Sequence, residues 1–405
     1  MMTTEGLFAG VATRDITPRP DGPPVFLAGY GRDRRAAAVE SPLLVRALAV
    51  CDGPQLAVIV ACDLIGLDRS DVLLIGDALA ARGIDRDAVI VACTHTHSGP
   101  DTLGLWGADA SVSGVDEAYL AQVRHAVVEA VVEALALRCP VTVRGGAGRL
   151  AGWVANYRDP AIVDDEVVAL QFIKPDGAAL ATLINLACHP EVFDGTSLVL
   201  SPDLAGVACR TIEAQAGGMA LHVSGALGGM LSPRTPDRSH DSMVAMGRAY
   251  AAAALAALAG SEAVPVALRR RRSSFRLPMS NPLLRQAHAA GILRPRRLYG
   301  DDVETTCSVI DLGPIQLVTV PGELLPALGF VLKAAMPGPC RIIIGLADDE
   351  IGYILPDDDY VAPVDYNDPG SQYEESVSLG PQTGSRVVAA ALALLAATVR
   401  AEPGR

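Results

Sequence analysis

Two histidines stand one residue apart in Thr94-His95-Thr96-His97-Ser98-Gly99, directly after the apolar run Ala88 to Thr94. Residues i and i+2 of a strand share a face, so both imidazoles can enter one pocket at the strand end. In α/β folds that end is where ligands bind. The apolar lead-in and the Ser-Gly-Pro stop favour a metal or catalytic site over a polar turn. A second apolar run ends in His189, within Asn185-Leu-Ala-Cys-His-Pro190. Alone, a histidine before proline reads as structural; two strands that both end in histidine read as a shared site. Cys188 alternates to the opposite face and is expected in the core, not as a nucleophile. Glu323 leaves a third run after Val320-Pro321-Gly322. It is either a helix-start glutamate that favours the dipole or a carboxylate ligand. Tyr353, in Gly352-Tyr353-Ile354, reads first as packing. Ser232, in Gly228-Gly-Met-Leu-Ser-Pro-Arg234, lies outside the G-x-S-x-G elbow, although the glycine pair allows close backbone approach.

The elements that must position these residues alternate between strand and helix. Strands are expected over Leu44 to Cys51, Gln55 to Ala61 and Ala88 to Thr94, and helices over Asp71 to Ala81 and residues 116 to 138. Ser70 and Ser113-x-x-Asp116 are the expected caps. A hairpin is expected around Lys174-Pro-Asp-Gly177. Further on come a strand at Met219 to Val223, a helix at Ser242 to Leu258 and a strand at Val264 to Leu277. Strands near Thr306 to Leu312 and Ile315 to Val320 precede a helix from Glu323 to Ala335 and a strand from Arg341 to Leu346. A long acidic loop and a final helix follow. The acidic triplets 348–350 and 357–359 read as solvated charge. Arg269 to Arg272 read as an exposed strand or a contact between copies of the chain. No internal repeat is visible. The fold expected is mixed α/β, with mixed β-sheets sandwiched between helices in one large domain over residues 1–405 and no separate C-terminal domain.

Composition excludes several classes. Half of the 405 residues are hydrophobic and a fifth are charged, which excludes disorder and fibrous repeats. The net charge of −13 argues against a general nucleic-acid binder. The eight cysteines include no CxxC pair, so zinc ribbons are excluded and the thiols read as small hydrophobes. The opening MMTTEGLFAGVATRDITP has no basic stretch followed by an apolar one, so no signal peptide is expected. No apolar stretch reaches the ~20 residues of a membrane span. A cytoplasmic protein acting on a small molecule, with homo-oligomers open, is the expectation.

The motifs and their order resemble the neutral/alkaline non-lysosomal ceramidases. The resemblance runs through Ala9-Gly-Val-Ala-Thr-Arg-Asp-Ile-Thr-Pro18, Leu27-Ala-Gly-Tyr30, Arg46-Ala-Leu, Asp63, Thr94-His-Thr-His-Ser-Gly-Pro100, Asn156, Ser201-Pro-Asp203, Pro321-Gly-Glu323 and Gly352-Tyr-Ile354. It implies one zinc ion held by His95, His189, Glu323 and Tyr353. His97 would not bind metal; it would stabilise an oxyanion or donate a proton to the leaving group. Ser232 would lie near the scissile amide, and Tyr353 could also supply a proton. Two histidines, a carboxylate and an open water position make a recognised catalytic zinc site. The implied activity is amide hydrolysis by metal-activated water. The Asp of the family's Gly-Asp-Val-Ser-Pro is absent here, and neither a secretory segment nor an extra C-terminal domain is expected. These departures point to a smaller amide than ceramide. Ester or lactone hydrolysis, the reverse cyclisation or condensation, and a metal-stabilised binding protein are the alternatives. Trp106 is a candidate pocket wall or a core residue.

Overall fold

The computed structural model describes residues 6–19 and 22–399; residues 1–5, on which the signal-peptide expectation partly rests, lie outside them. Three units with the same order of elements build the three main sheets. Each unit has an outer strand, an antiparallel hairpin, a helix, a strand parallel to the second hairpin strand, and another helix. The first unit comprises Leu7–Asp15, the hairpin Leu44–Asp52 and Gln55–Cys62, helix Arg69–Ala80, strand Val89–Cys93 and helix Glu117–Ala136. The second comprises Thr142–Arg149, Glu166–Ile173 and Ala179–Leu186, helix Asp203–Ala216, strand Met219–Ser224 and helix His240–Leu258. The third comprises Leu268–Pro278, Asp302–Leu312 and Ile315–Thr319, helix Pro326–Ala335, strand Arg341–Ile344 and helix Thr383–Val399. The helix inside each unit supplies the crossover that a parallel strand pair requires.

Alternation along the strands explains the packing. Val58, Val60 and Cys62 face the first unit's helices, while Ala57, Ile59 and Ala61 face a central core. That core is shared: Ile59, Leu170 and Leu317 come from the three different sheets. The outer face of each sheet packs on its own two helices. Burial on both faces is why these strands read as continuous apolar runs. The mixed α/β class expected from the sequence holds, with helices on the outer faces and sheets facing one another inside. The repeated order of elements was not visible in the sequence. Among the described residues, no helix is long and apolar enough to cross a membrane.

Several local expectations change. Asp68 and Asp116, not Ser70 and Ser113, cap the first two helices. The helix expected from Glu323 begins at Pro326, because Glu323–Leu324 is a short strand paired in parallel with Tyr353–Ile354. The triplet 348–350 is not solvated: Asp348 and Asp349 are buried, paired with Arg272 and Arg296 respectively. The arginine run is not free either, since Arg270, Arg271 and Arg272 pair with Asp85, Asp311 and Asp348. Arg270 and Arg272 thereby tie the third sheet to residues of the first unit and to the acidic turn. Seven cysteines are buried and Cys139 is half-buried.

Candidate metal centre

The site forms where each unit's parallel strand pair ends. His95 follows Val89–Cys93, His189 follows Ala179–Leu186, and Glu323 follows Ile315–Thr319. His95 follows the post-crossover strand of its unit and His189 and Glu323 the second hairpin strands of theirs, so three residues distant in the chain meet where the ends of parallel strand pairs meet. Tyr353 is brought in by register, opposite Glu323 in the two-strand ladder. The ladder needs glycine at 352, which has φ +82°, and a Cβ there would lie 1.8 Å from the Val377 carbonyl oxygen.

The two histidines are anchored alike. His95 Nδ1 lies 2.6 Å from the Ile65 carbonyl oxygen, and His189 Nδ1 lies 2.9 Å from the Leu231 carbonyl oxygen. A carbonyl oxygen only accepts, so each Nδ1 carries the proton. Both Nε2 atoms then point at one carboxylate oxygen: Glu323 Oε2 is 3.4 Å from His95 and 3.1 Å from His189. The two Nε2 atoms and this carboxylate oxygen therefore converge on one point. His95 itself has φ +66°, an uncommon backbone for a non-glycine residue. Its amide is held by the Leu64 carbonyl.

His97 completes a buried group. His95, His97 and His189 each offer a ring nitrogen within 4.8 Å of the others, and such a group could hold a metal ion. His97 Nδ1 also lies 3.0 Å from Glu191 Oε2, though neither of its ring nitrogens has an aligned hydrogen bond. Gly29, at φ +96°, makes room for it, since a Cβ there would be 2.3 Å from His97 Cγ. The sequence reading missed Glu191, two residues beyond His189. It is buried and also accepts a 3.1 Å hydrogen bond from the Tyr30 hydroxyl. A carboxylate two positions past a candidate ligand, in a run otherwise apolar, was the available signal.

The charges of the ion-free site follow from these contacts. Burial disfavours a charged His189, but its hydrogen bond to Glu323 and the charges of Glu191 and Glu323 raise it to about 9. Burial would raise Glu323, yet His95 and His189 hold it well below the usual carboxylate range. Burial lowers His97 to about 4, against the pull of Glu191. Burial, then the charge of Glu323, pushes the Tyr353 phenol well up.

Tyr353 also donates to Met230 Sδ at 3.5 Å. Ser232 sits one residue after the Leu231 carbonyl that anchors His189, with its hydroxyl buried and without an aligned partner. It is close enough to Glu191 to help keep that carboxylate ionised. Cys188 is buried in the second unit's outer core with its thiol raised by burial. Asn156 caps its own turn by accepting from Arg158 and Asp159 amides. Asp203 accepts from the Val192 and Phe193 amides and so holds the turn that presents Glu191.

No protein-family model matches the chain, and no curated protein matches it. Solved structures do. The neutral ceramidase from Pseudomonas aeruginosa superposes with a TM-score of 0.80 at 19% identity, over 99% of this chain and 76% of that one. A ceramidase complexed with C2 gives the same TM-score and coverage at 18% identity. Likeness at this identity is a likeness of fold. In fold, the chain is ceramidase-like, as the order of its motifs led us to expect.

Proposed function

We propose that the chain is a zinc-dependent hydrolase that cleaves a linear amide, an N-acyl bond, in a substrate smaller than ceramide. The observation that carries this reading is the convergence of two Nδ1-anchored imidazoles on the Glu323 carboxylate. Imidazole and carboxylate donors suit zinc, and three protein ligands leave room for a reacting group. His95, His189 and Glu323 would hold the ion, with the Tyr353 hydroxyl beside them. When bound, the ion supplies a Lewis acid for the carbonyl and makes water acidic enough to react near neutral pH.

The chain's own groups supply orientation and proton transfer. The two backbone carbonyls fix the tautomers of His95 and His189, which keeps both Nε2 atoms available. His97 stands against both rings, with centroids 5.0 Å and 5.4 Å away, so it reaches the same reacting centre. The buried Ser232 hydroxyl, beside Glu191, would meet the substrate's polar group. The ceramidase fold supports the amide chemistry, and the named substrate of that neighbour belongs to it, not to this chain.

Metal analysis and a substrate panel test the reading together. One zinc per chain is expected, lost in His95→Ala with the fold retained, and at least one N-acyl amine should be turned over. Zinc whose removal unfolds the chain, with no turnover of amides, esters or lactones, would make the ion structural. Turnover of esters alone would move the reaction class.

A further inference from the structure

We propose that Ser224 is a positioning residue for the metal centre: its hydroxyl, aimed by His222 and Tyr250, fixes the peptide that carries His95. This rests on the metal-dependent reading above and deepens it, because it assigns the hold on one ligand to a chain of buried groups outside the site.

The peptide between Thr94 and His95 is gripped at both edges. Its carbonyl oxygen, on Thr94, accepts from the Ser224 hydroxyl at 2.8 Å. Its N–H, on His95, donates to the Leu64 carbonyl at 2.9 Å. The orientation of that peptide about the N–Cα bond of His95 is what φ measures, and here φ is +66°. A left-handed backbone at a non-glycine residue persists only where its surroundings over-determine it. The carbonyl that meets His95 Nδ1 at 2.6 Å is that of Ile65, next to Leu64 in the turn after the strand Gln55–Cys62. Turning the peptide would therefore swing the imidazole off its anchor.

The proton positions follow in order from Thr94. Its carbonyl only accepts, so the single hydroxyl hydrogen of Ser224 goes there. Towards His222 Nε2, 3.1 Å away, the Ser224 oxygen can then only accept, so Nε2 carries a proton. Burial, followed by the charge of Arg46, lowers His222 to about 3, which keeps the ring neutral. Nδ1 is left with a lone pair and accepts from the Tyr250 hydroxyl at 3.0 Å. Tyr250, His222 and Ser224 are all buried, so water does not compete for these bonds. The far side of Ser224 is fixed as well. It pairs with Leu186 in parallel register, and its own carbonyl accepts from the Gly345 amide at 2.8 Å. The second unit's strand end, braced by the third unit, thereby sets a ligand of the first.

Chelator competition for zinc, and hydrogen exchange at the His95 amide in chelated protein, test this without turnover. Ser224→Ala should raise the apparent zinc Kd by ~10- to 100-fold, as loss of a ligand's outer support does. It should also speed exchange of the His95 amide by about 10-fold, the equivalent of one hydrogen bond. Thr182→Val removes another buried hydroxyl of the second unit, one that meets Gln171, and should leave zinc Kd within about 2-fold of wild type. A Kd for Ser224→Ala within about 2-fold of wild type, or an equal loss in Thr182→Val, would overturn the proposal. Nitrogen NMR should show His222 protonated at Nε2 alone. An Nδ1–H tautomer would sink the idea, because the Ser224 hydroxyl would then donate to the ring and not to Thr94. If Ser224→Ala does not fold, Tyr250→Phe replaces it; faster exchange at His95 supports the chain of bonds, and exchange at the wild-type rate refutes it. If wild type binds no zinc, the metal reading fails by itself, and the exchange and NMR results still decide whether Ser224 holds this peptide.

Discussion

Two of the buried charge clusters among the described residues are built on opposite rules. Around the loop that follows the first hairpin, Arg296 donates to Asp68 at 2.7 Å and also to Asp349, and Arg294 bridges Asp71 and Glu117. Arg124 adds a second cation to Asp71. Each of these four acids faces a guanidinium. At the candidate metal centre two imidazoles meet one carboxylate oxygen, and among the described residues no arginine pairs with it. A cluster closed by arginines locks elements together; one without them could hold a metal ion. His222 sharpens the contrast. It is as buried as the site histidines, yet its two nitrogens meet Tyr250 and Ser224, so it has nothing left to bind.

The largest effect should come from breaking the balanced cluster. Arg296→Ala strands Asp68 and Asp349 without their cation, and loss of one partner of a buried pair costs ~3–5 kcal/mol. Chemical denaturation should show this loss while zinc stoichiometry in the surviving fold stays at one. Glu323→Gln should do the reverse, abolishing stoichiometric zinc with a smaller effect on unfolding. If both variants lost metal and stability together, the two clusters would not differ in kind.

A pH series sharpens the same comparison. In the chelated protein His189 is raised to about 9 from an ordinary value of 6.5. Its contribution is therefore complete below the ordinary value and is lost as pH rises through the folded one. Chelated protein should melt progressively lower between about pH 7 and pH 9, whereas zinc-loaded protein should not. Because zinc must displace that proton, its apparent affinity should also rise over the same interval. A flat affinity across that range would mean that His189 is not a ligand.

The smallest effect should come from a pair that is neither buried nor unbalanced. Arg270 meets Asp85 at 2.7 Å, with the acid more than half exposed. Arg270→Ala should cost no more than about 1 kcal/mol by denaturation and leave zinc binding intact.

Much of the site was legible before any coordinates. A histidine pair, a lone histidine and a glutamate each stood just beyond an apolar run, and a strand end is a place with a physical meaning; Tyr353 read as packing and entered only through the resemblance. Glu191, Tyr30 and Gly29 were not legible as a set, because nothing local says that residues 29, 97 and 191 touch. The acidic triplet was misread for the same reason: Asp349 looks solvated until Arg296, 53 positions away, is found against it. The start of the helix after Glu323 was misplaced because Pro321-Gly322 resembles a helix entry. A two-residue ladder to Tyr353, visible only in space, holds that glutamate in extended backbone.

Local chemistry in the chain therefore determined which stretches bury both faces, where they stop, and which side chains capable of binding a cation stand at those stops. Tertiary structure alone decided that three such stops share one point, because the inner faces of three sheets could exclude water only against one another. Hydrophobic burial sets the sheets together, and their geometry, not any motif, brings His95, His189 and Glu323 within reach of a single ion.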